Sequence, residues 1–321
     1  MAALRTARPG CEIGFAVKSQ FADLVAGDPS VDRIHVLDTS APGGLRELCR
    51  GVRAAGYAAV VDLHRNARSA AIVRAARASV TAEYVKRDRG DWLRVRLFRR
   101  PFRASRRLVE RYLEALAPLG VDAPYAKPRF HVAARDAAWG EAFVAGRGLR
   151  PRSYAVVAPG AVWATKRWPA ERFGAVARDL FVDLGLPAVL VGSAAERPIC
   201  EQVAAAAGAD SPTTVAAGEA TLGGTAGIVA QGALFLGNDS GLTHVAMALD
   251  TPTVAVFGPT DPAQFDFEGH AVVFADTPCS ACSFFGGERC RLRHWDCMRL
   301  IEAQDVSRAA RALLAARGRS T

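Results

Sequence analysis

The chain has 321 residues, half of them apolar, with ordinary Gly and Pro contents and a net charge of +9. That length exceeds the usual single core and predicts two domains of a globular protein. No apolar run reaches the ~18 residues of a membrane span, and the opening MAALRTARPG lacks a secretion signal's apolar core, so a cytoplasmic location is expected.

In chain order, apolar runs at 12–17, 33–37, 58–63 and 80–85 predict strands, followed by a helix over 106–116. Charge is concentrated in this half. Residues 1–150 hold 27 Lys and Arg against 15 Asp and Glu, whereas the remainder holds 14 against 17. Within it, the segment 86–107 (KRDRGDWLRVRLFRRPFRASRR) carries ten basic residues and two acidic ones. Its Arg94, Arg96, Arg99 and Arg100 alternate with large apolar side chains, a pattern that suits an anionic membrane surface or a phosphate-bearing acceptor. The other reading is a solvated Arg-rich face. No recognition motif accompanies the charge, so nucleic acid is not an expected partner.

A Gly/Arg/Pro-rich stretch, 146–153, predicts the linker, dividing the chain into 1–148 and 149–321. Beyond it, short apolar runs at 154–158, 187–191, 214–217, 233–236, 253–257 and 271–274 alternate with helical patterns at 170–184, 195–207, 221–231 and 243–249. That alternation is the signature of a parallel sheet covered on both faces. An amphipathic pattern over 304–316 closes the chain.

Three strand ends in this half carry polar residues suited to a ligand. After the first strand, Lys166 and Arg167 sit on a loop ahead of Pro169, where they either neutralise a phosphate or are merely solvated. After the second, Glu196 sits in a helix's first turn, where it either accepts from ribose hydroxyls or favours the helix dipole. The most informative stretch is LGNDSGLTHVAMALDTPTVAVFGPTDP (236–262). It reads as a strand, a turn of Gly237, Asn238, Asp239, Ser240 and Gly241, a short helix bearing His244, a second strand and a second tight turn. Gly in the turn lets backbone approach a ligand, and the helix N–H groups then face an anion such as a diphosphate. A Lys, a Glu and an Asp-Ser-Gly together form a set that holds a sugar nucleotide. Asp239 and Lys166 are therefore the expected catalytic pair, with their partners on the ligand. A Gly-x-Gly-x-x-Gly after an early strand is missing, which makes a nicotinamide enzyme a weak reading.

Cys279, Cys282, Cys290 and Cys297 follow. The C-x2-C start is a common zinc-ligand spacing, but the second C-x2-C is missing. A structural metal, a redox-labile pair and four reduced thiols are all open.

The segments PGAVWATKRWPAERF, VGSAAERPI, the 236–262 stretch and CSACSFFGGERCRLRHWDCMRLI together resemble the heptosyltransferases of lipopolysaccharide core synthesis, glycosyltransferase family nine. In the first half, PGCEIGFAVKSQFADLVAGDPSVDRIHVLD, YAAVVDLHRNARSA and LVERYLEALAPLG are similar to that family's acceptor-side domain. The resemblance implies a GT-B architecture, two Rossmann-like domains facing across a cleft with the last helix packing back toward the first. It also implies inverting transfer of heptose, or a related sugar, from an ADP-sugar to an anionic glycolipid acceptor, without an obligatory metal or other cofactor. On this resemblance Lys166 contacts donor phosphate or sugar, Glu196 the ribose, and Asp239 the sugar hydroxyls. Asn238 belongs to the same donor-binding turn, Ser240 and Gly241 present N–H groups to the diphosphate, and His244 closes the site.

One departure stands out. The family opens with a strand and a Gly-Asp turn whose Asp is its proposed general base, and this sequence has neither. An upstream start, a truncated copy or a substitute carboxylate would each explain it, as would a sugar-nucleotide-binding protein impaired in catalysis. Asp62 is the nearby substitute, or else a strand-end turn residue. A parallel sheet lacking an early central strand is expected to show a gap in the first domain.

Overall fold

The computed structural model describes residues 1–85, 90, 93, 95, 97 and 101–318. The chain divides into two compact units, residues 1–89 with 106–133, and residues 90–105 with 134–321.

The first unit contains α1 (Ala2–Ala7), β1 (Gly14–Lys18), α2 (Asp23–Ala26), β2 (Arg33–Leu37), α3 (Gly44–Ala55), β3 (Ala59–Asp62), α4 (Ala67–Ala76), β4 (Val80–Glu83) and α5 (Leu108–Glu114). β1 runs parallel to β2 from Gly14↔Arg33 to Lys18↔Leu37, and β3 parallel to β4 from Ala59↔Val80 to Asp62↔Glu83. Among the described residues the two ribbons are separate sheets. They share a core through α3: Leu37 of β2, Leu48 and Val52 of α3 and Ala76 of α4 are buried, with Tyr57, Val60 and Ile72 packed against them. The sequence reading has no helix at α3 or α4. α3 buries a narrow stripe between arginines, and α4 starts from a reciprocal cap in which Asn66 Oδ1 accepts from Ser69 N–H and Ser69 Oγ from Asn66 N–H.

The second unit contains α6 (Ala134–Gly146), β5 (Ala155–Ala158), α7 (Ala170–Leu184), β6 (Ala188–Leu190), α8 (Arg197–Ala207), β7 (Thr213–Val215), α9 (Leu222–Gln231), β8 (Leu234–Asn238), α10 (Gly241–Ala248), β9 (Thr253–Phe257), β10 (Ala271–Phe274), α11 (Asp296–Arg299) and α12 (Ala303–Gly318). Its six strands form one parallel sheet in the order β10-β9-β8-β5-β6-β7. Successive side chains point to opposite faces, which makes two cores. Ala155 and Val157 face Phe173, Val176, Leu180 and Val306, and Val156 and Ala158 face Phe143, Ile228 and Ala246. A continuous apolar run therefore marks a strand buried on both sides.

One boundary differs from the sequence reading. The chain enters the second unit for the last time at 134, so 146–153 lies inside that unit. The reason is α6, which lies against α9 so closely that a Cβ on Gly140 would sit 2.5 Å from the Gly227 carbonyl carbon. The last helix packs within its own unit: Ser307 Oγ donates to Asp179 Oδ2 of α7 at 2.7 Å, and Val306 and Ala310 join the core of Phe173, Val176 and Leu180.

Candidate donor site

In the second sheet β5 is central, and the chain turns first to β6 and β7, then back to β8 on the other side. The strand order reverses between β5 and β8, and open parallel sheets take their ligands outside the carboxyl ends at that point. Asn238, the last residue of β8, ties the two ends together. Fully buried, it donates through Nδ2 to Pro159 O (2.8 Å) and Gly160 O (3.4 Å) after β5, and its Oδ1 accepts from Trp168 N–H (3.0 Å). Its side chain is thus committed to the protein, and it shapes the turn from beneath.

The next residue, Asp239, is 5% exposed and gathers the site. Its Oδ2 accepts from Lys166 Nζ at 2.6 Å and from Thr260 Oγ1 at 2.5 Å, while His244 Nε2 lies 3.3 Å from Oδ1. Burial is the largest influence on this carboxyl and pushes its pKa up. The His244 hydrogen bond and the Lys166 charge together outweigh it and hold the value at about 2. Asp239 is therefore a fixed negative charge at neutral pH. Its partners lie in the protein, contrary to the expectation that they wait on the ligand.

Lys166 reaches Asp239 from a 3-10 turn, Ala164–Lys166, while Arg167 Nε donates back to Ala161 O at 2.8 Å. The loop's two cations thus have different roles, one aimed at the site and one closing the loop. His244 stands on α10 with its ring 4.3 Å from that of Phe265. Ser240 is the N-cap of α10 but makes no side-chain cap bond, and a Cβ on the following Gly241 would meet open space. The helix thus presents an open N-terminus beside Asp239. Glu196 lies at the neighbouring strand end. Its Oε2 accepts from Ser193 N–H and Oγ, each at 2.8 Å, and a Cβ on Gly160 would fall 2.0 Å from Oε1. Glycine at 160 is what lets this carboxylate lie against the β5 loop.

Lys166, Asp239, Ser240, Gly241 and His244 thus gather around one switch point, with Glu196 at the end of the adjacent strand. Thr260 is the residue the sequence reading missed. The turn containing it is visible in the sequence, but nothing there says that its hydroxyl points back to Asp239.

A model of glycosyltransferase family 9 (heptosyltransferase) matches residues 45–283. The chain belongs to that family. It is 27% identical to lipopolysaccharide heptosyltransferase 1 of Pseudomonas aeruginosa over 85% of this chain and 78% of that one. Among solved structures, a family 9 glycosyl transferase from Veillonella parvula superposes with a TM-score of 0.77 at 23% identity, over 98% of this chain and 91% of that one. The E. coli ADP-heptose lps heptosyltransferase II gives 0.75 at 21%, over 99% and 93%. These likenesses show the fold, the GT-B pair of Rossmann-like units.

The remaining candidates are placed as follows in this family 9 glycosyltransferase. Arg94, Arg96, Arg99 and Arg100 lie outside the described residues. Nearby, Arg103 pairs with Asp276 at 2.6 Å, Arg106 pairs with Glu114, and Arg107 covers the Tyr125 ring. Asp62 is buried at the end of β3, where its Oδ1 accepts from the N–H groups of His64 and Arg65, each at 2.8 Å. Burial raises its pKa, but those bonds outweigh it and leave the value lowered. It is a turn-forming carboxylate. Cys279, Cys282, Cys290 and Cys297 are free thiols, and among the described residues no group of three or more ligating side chains is arranged to hold a metal. Burial pushes the Cys282 thiol up and that of Cys297 to about 12, with neighbouring thiols adding in the same direction. No described helix is long and apolar enough to cross a membrane.

Proposed function

We propose that this glycosyltransferase takes heptose from ADP-heptose and passes it, with inversion, to a lipid-anchored core glycan of the lipopolysaccharide type. The observation that carries the reading is the convergence on Asp239 of Lys166, Thr260 and His244, beside the open N-terminus of α10. The leaving group is a nucleoside diphosphate whose negative charge grows as the glycosidic bond breaks. Preorganised N–H groups at Ser240 and Gly241, with Lys166, stabilise that charge in place of water. Asp239 accepts from sugar hydroxyls and orients the reacting carbon, and Glu196 accepts from the ribose. His244 and Phe265 wall the site.

The acceptor side rests on charge. The basic, apolar-studded segment 86–107 meets the anionic surface on which such a glycolipid sits, at the cytoplasmic face of a membrane. Its binding to anionic vesicles should fall as salt rises; equal binding to neutral vesicles would remove that role.

The deciding experiment is a donor panel on a deep-rough lipopolysaccharide acceptor, with ADP, UDP and GDP sugars compared by nucleotide release and product mass. ADP-heptose should be preferred. Transfer from a UDP- or GDP-sugar with ADP-heptose inert would sink the proposal, and ADP binding without transfer would reduce the chain to a binding protein.

A further inference from the structure

Residues 275–302, which carry the four cysteines, pass from β10 to α12 and hold two loops at once. On one side Ala281 N–H donates to Gly258 O at 3.2 Å and Ser283 N–H to Pro259 O at 2.8 Å. These bonds grip the turn that bears Thr260. On the other side the strap seizes Thr165 at three polar groups. Thr165 N–H donates to Gly287 O (3.0 Å), Gly287 N–H donates to Thr165 Oγ1 (2.8 Å), and Trp295 Nε1 donates to Thr165 O (3.3 Å). Gly286, at φ 97°, brings the strap against Trp163, where a Cβ would lie 2.8 Å from the Trp163 Cβ. Thr165 is buried and directly precedes Lys166.

The two gripped loops deliver Lys166 Nζ and Thr260 Oγ1 to the same oxygen, Asp239 Oδ2. A lysine on a surface turn has four side-chain torsions to order and the motion of its loop besides. A backbone held through N–H, C=O and Oγ on the preceding residue removes the loop's share of that freedom. We propose that the strap is the positioning device of the donor site and that Thr165 is its grip on Lys166. The thiols then belong to the strap's own folding: Cys297 packs behind Gly258, and Cys279 Sγ lies 3.9 Å from His294 Nε2 one residue before Trp295.

The inference rests on the donor-site reading, so its test carries a control for that reading. Thr165→Val keeps shape and burial but leaves Gly287 N–H without its acceptor; Thr165→Ser keeps the hydroxyl. Both are compared with wild type well below the unfolding temperature, by ADP titration, by transfer kinetics and by the acylation rate of Lys166 followed by mass spectrometry. Thr165→Val should weaken ADP binding and lower kcat/KM, each by about tenfold, as misplaced groups do. Its Lys166 should acylate several times faster, and Thr165→Ser should restore all three readouts. A folded Thr165→Val with wild-type acylation and ADP affinity overturns the proposal. Lys166→Ala separates the two ideas. Unchanged ADP affinity in Lys166→Ala refutes the donor site, while the acylation comparison still decides whether Thr165 holds Lys166.

Discussion

Asp239 ties Lys166, His244 and Thr260 together at the heart of the proposed donor site. A carboxylate this buried is tolerable only because a lysine, a hydroxyl and an imidazole share its two oxygens. Replacing it with Asn strips Lys166 of its counter-charge in a site where that lysine is 14% exposed. Breaking such a pair costs about 3 kcal/mol, so Asp239→Asn should lose stability as well as turnover. The pH dependence has a definite sign. The folded-state value of about 2 lies below the ordinary carboxylate value of 3.8. The ionised form therefore stabilises the protein above the unfolded value, by ~2 kcal/mol, and this is lost as pH falls through 2. Urea unfolding at pH 5 and pH 2.5 should show the gap between wild type and Asp239→Asn narrowing toward acid. A gap that stays constant would mean that the carboxylate's charge is not what the site depends on.

Elements were legible in the sequence where burial leaves a continuous signature. The runs at β5, β8 and β9 stand out because every residue in those strands is buried. The turn after β8 was legible as a strand-to-helix junction because Gly237 to Gly241 separate an apolar run from a helical pattern, and the structure places Asp239, Ser240 and Gly241 there. Contacts between loops distant in sequence leave no such mark, which is why Thr260 and Thr165 were invisible. Helix α6 was missed for a related reason. Phe143 and Val144 bury its apolar side, but its close contact with α9 is made by glycine, which leaves no mark in an apolar pattern: a Cβ on Gly227 would sit 2.4 Å from Asp136 O, and one on Gly140 would press on Gly227 itself. Backbone is the obstacle in both cases, so no side-chain shift relieves the clash. Gly140→Ala should cost about 1–3 kcal/mol, as overpacking does, despite the higher helix propensity of alanine. Equilibrium denaturation measures it, and a stabilised Gly140→Ala would show that α6 and α9 are not in backbone contact.

At the scale of the molecule the two units differ in how much apolar surface they remove from water. Strands of the second unit lie between two layers of helices, with Trp168, Tyr154, Phe173, Phe235 and Phe257 fully buried. In the first unit β1 and β4 leave residues exposed, and the two ribbons share a core of Leu37, Leu48, Val52 and Ala76 with partly buried neighbours. Stabilisation follows the apolar area buried, and a smaller core leaves a thinner margin over chain entropy. The first unit should therefore unfold at the lower temperature, giving two calorimetric transitions in place of one. Native-state hydrogen exchange assigns them: amides of β1–β4 should exchange by openings of lower free energy than those of β5, β8 and β9. On the proposed donor site, ADP should raise the upper transition and leave the lower one in place, because a ligand stabilises only the unit whose folded state it binds. A single transition that moves as a whole with ADP would show instead that the units unfold as one cooperative body, with the donor site stabilising both.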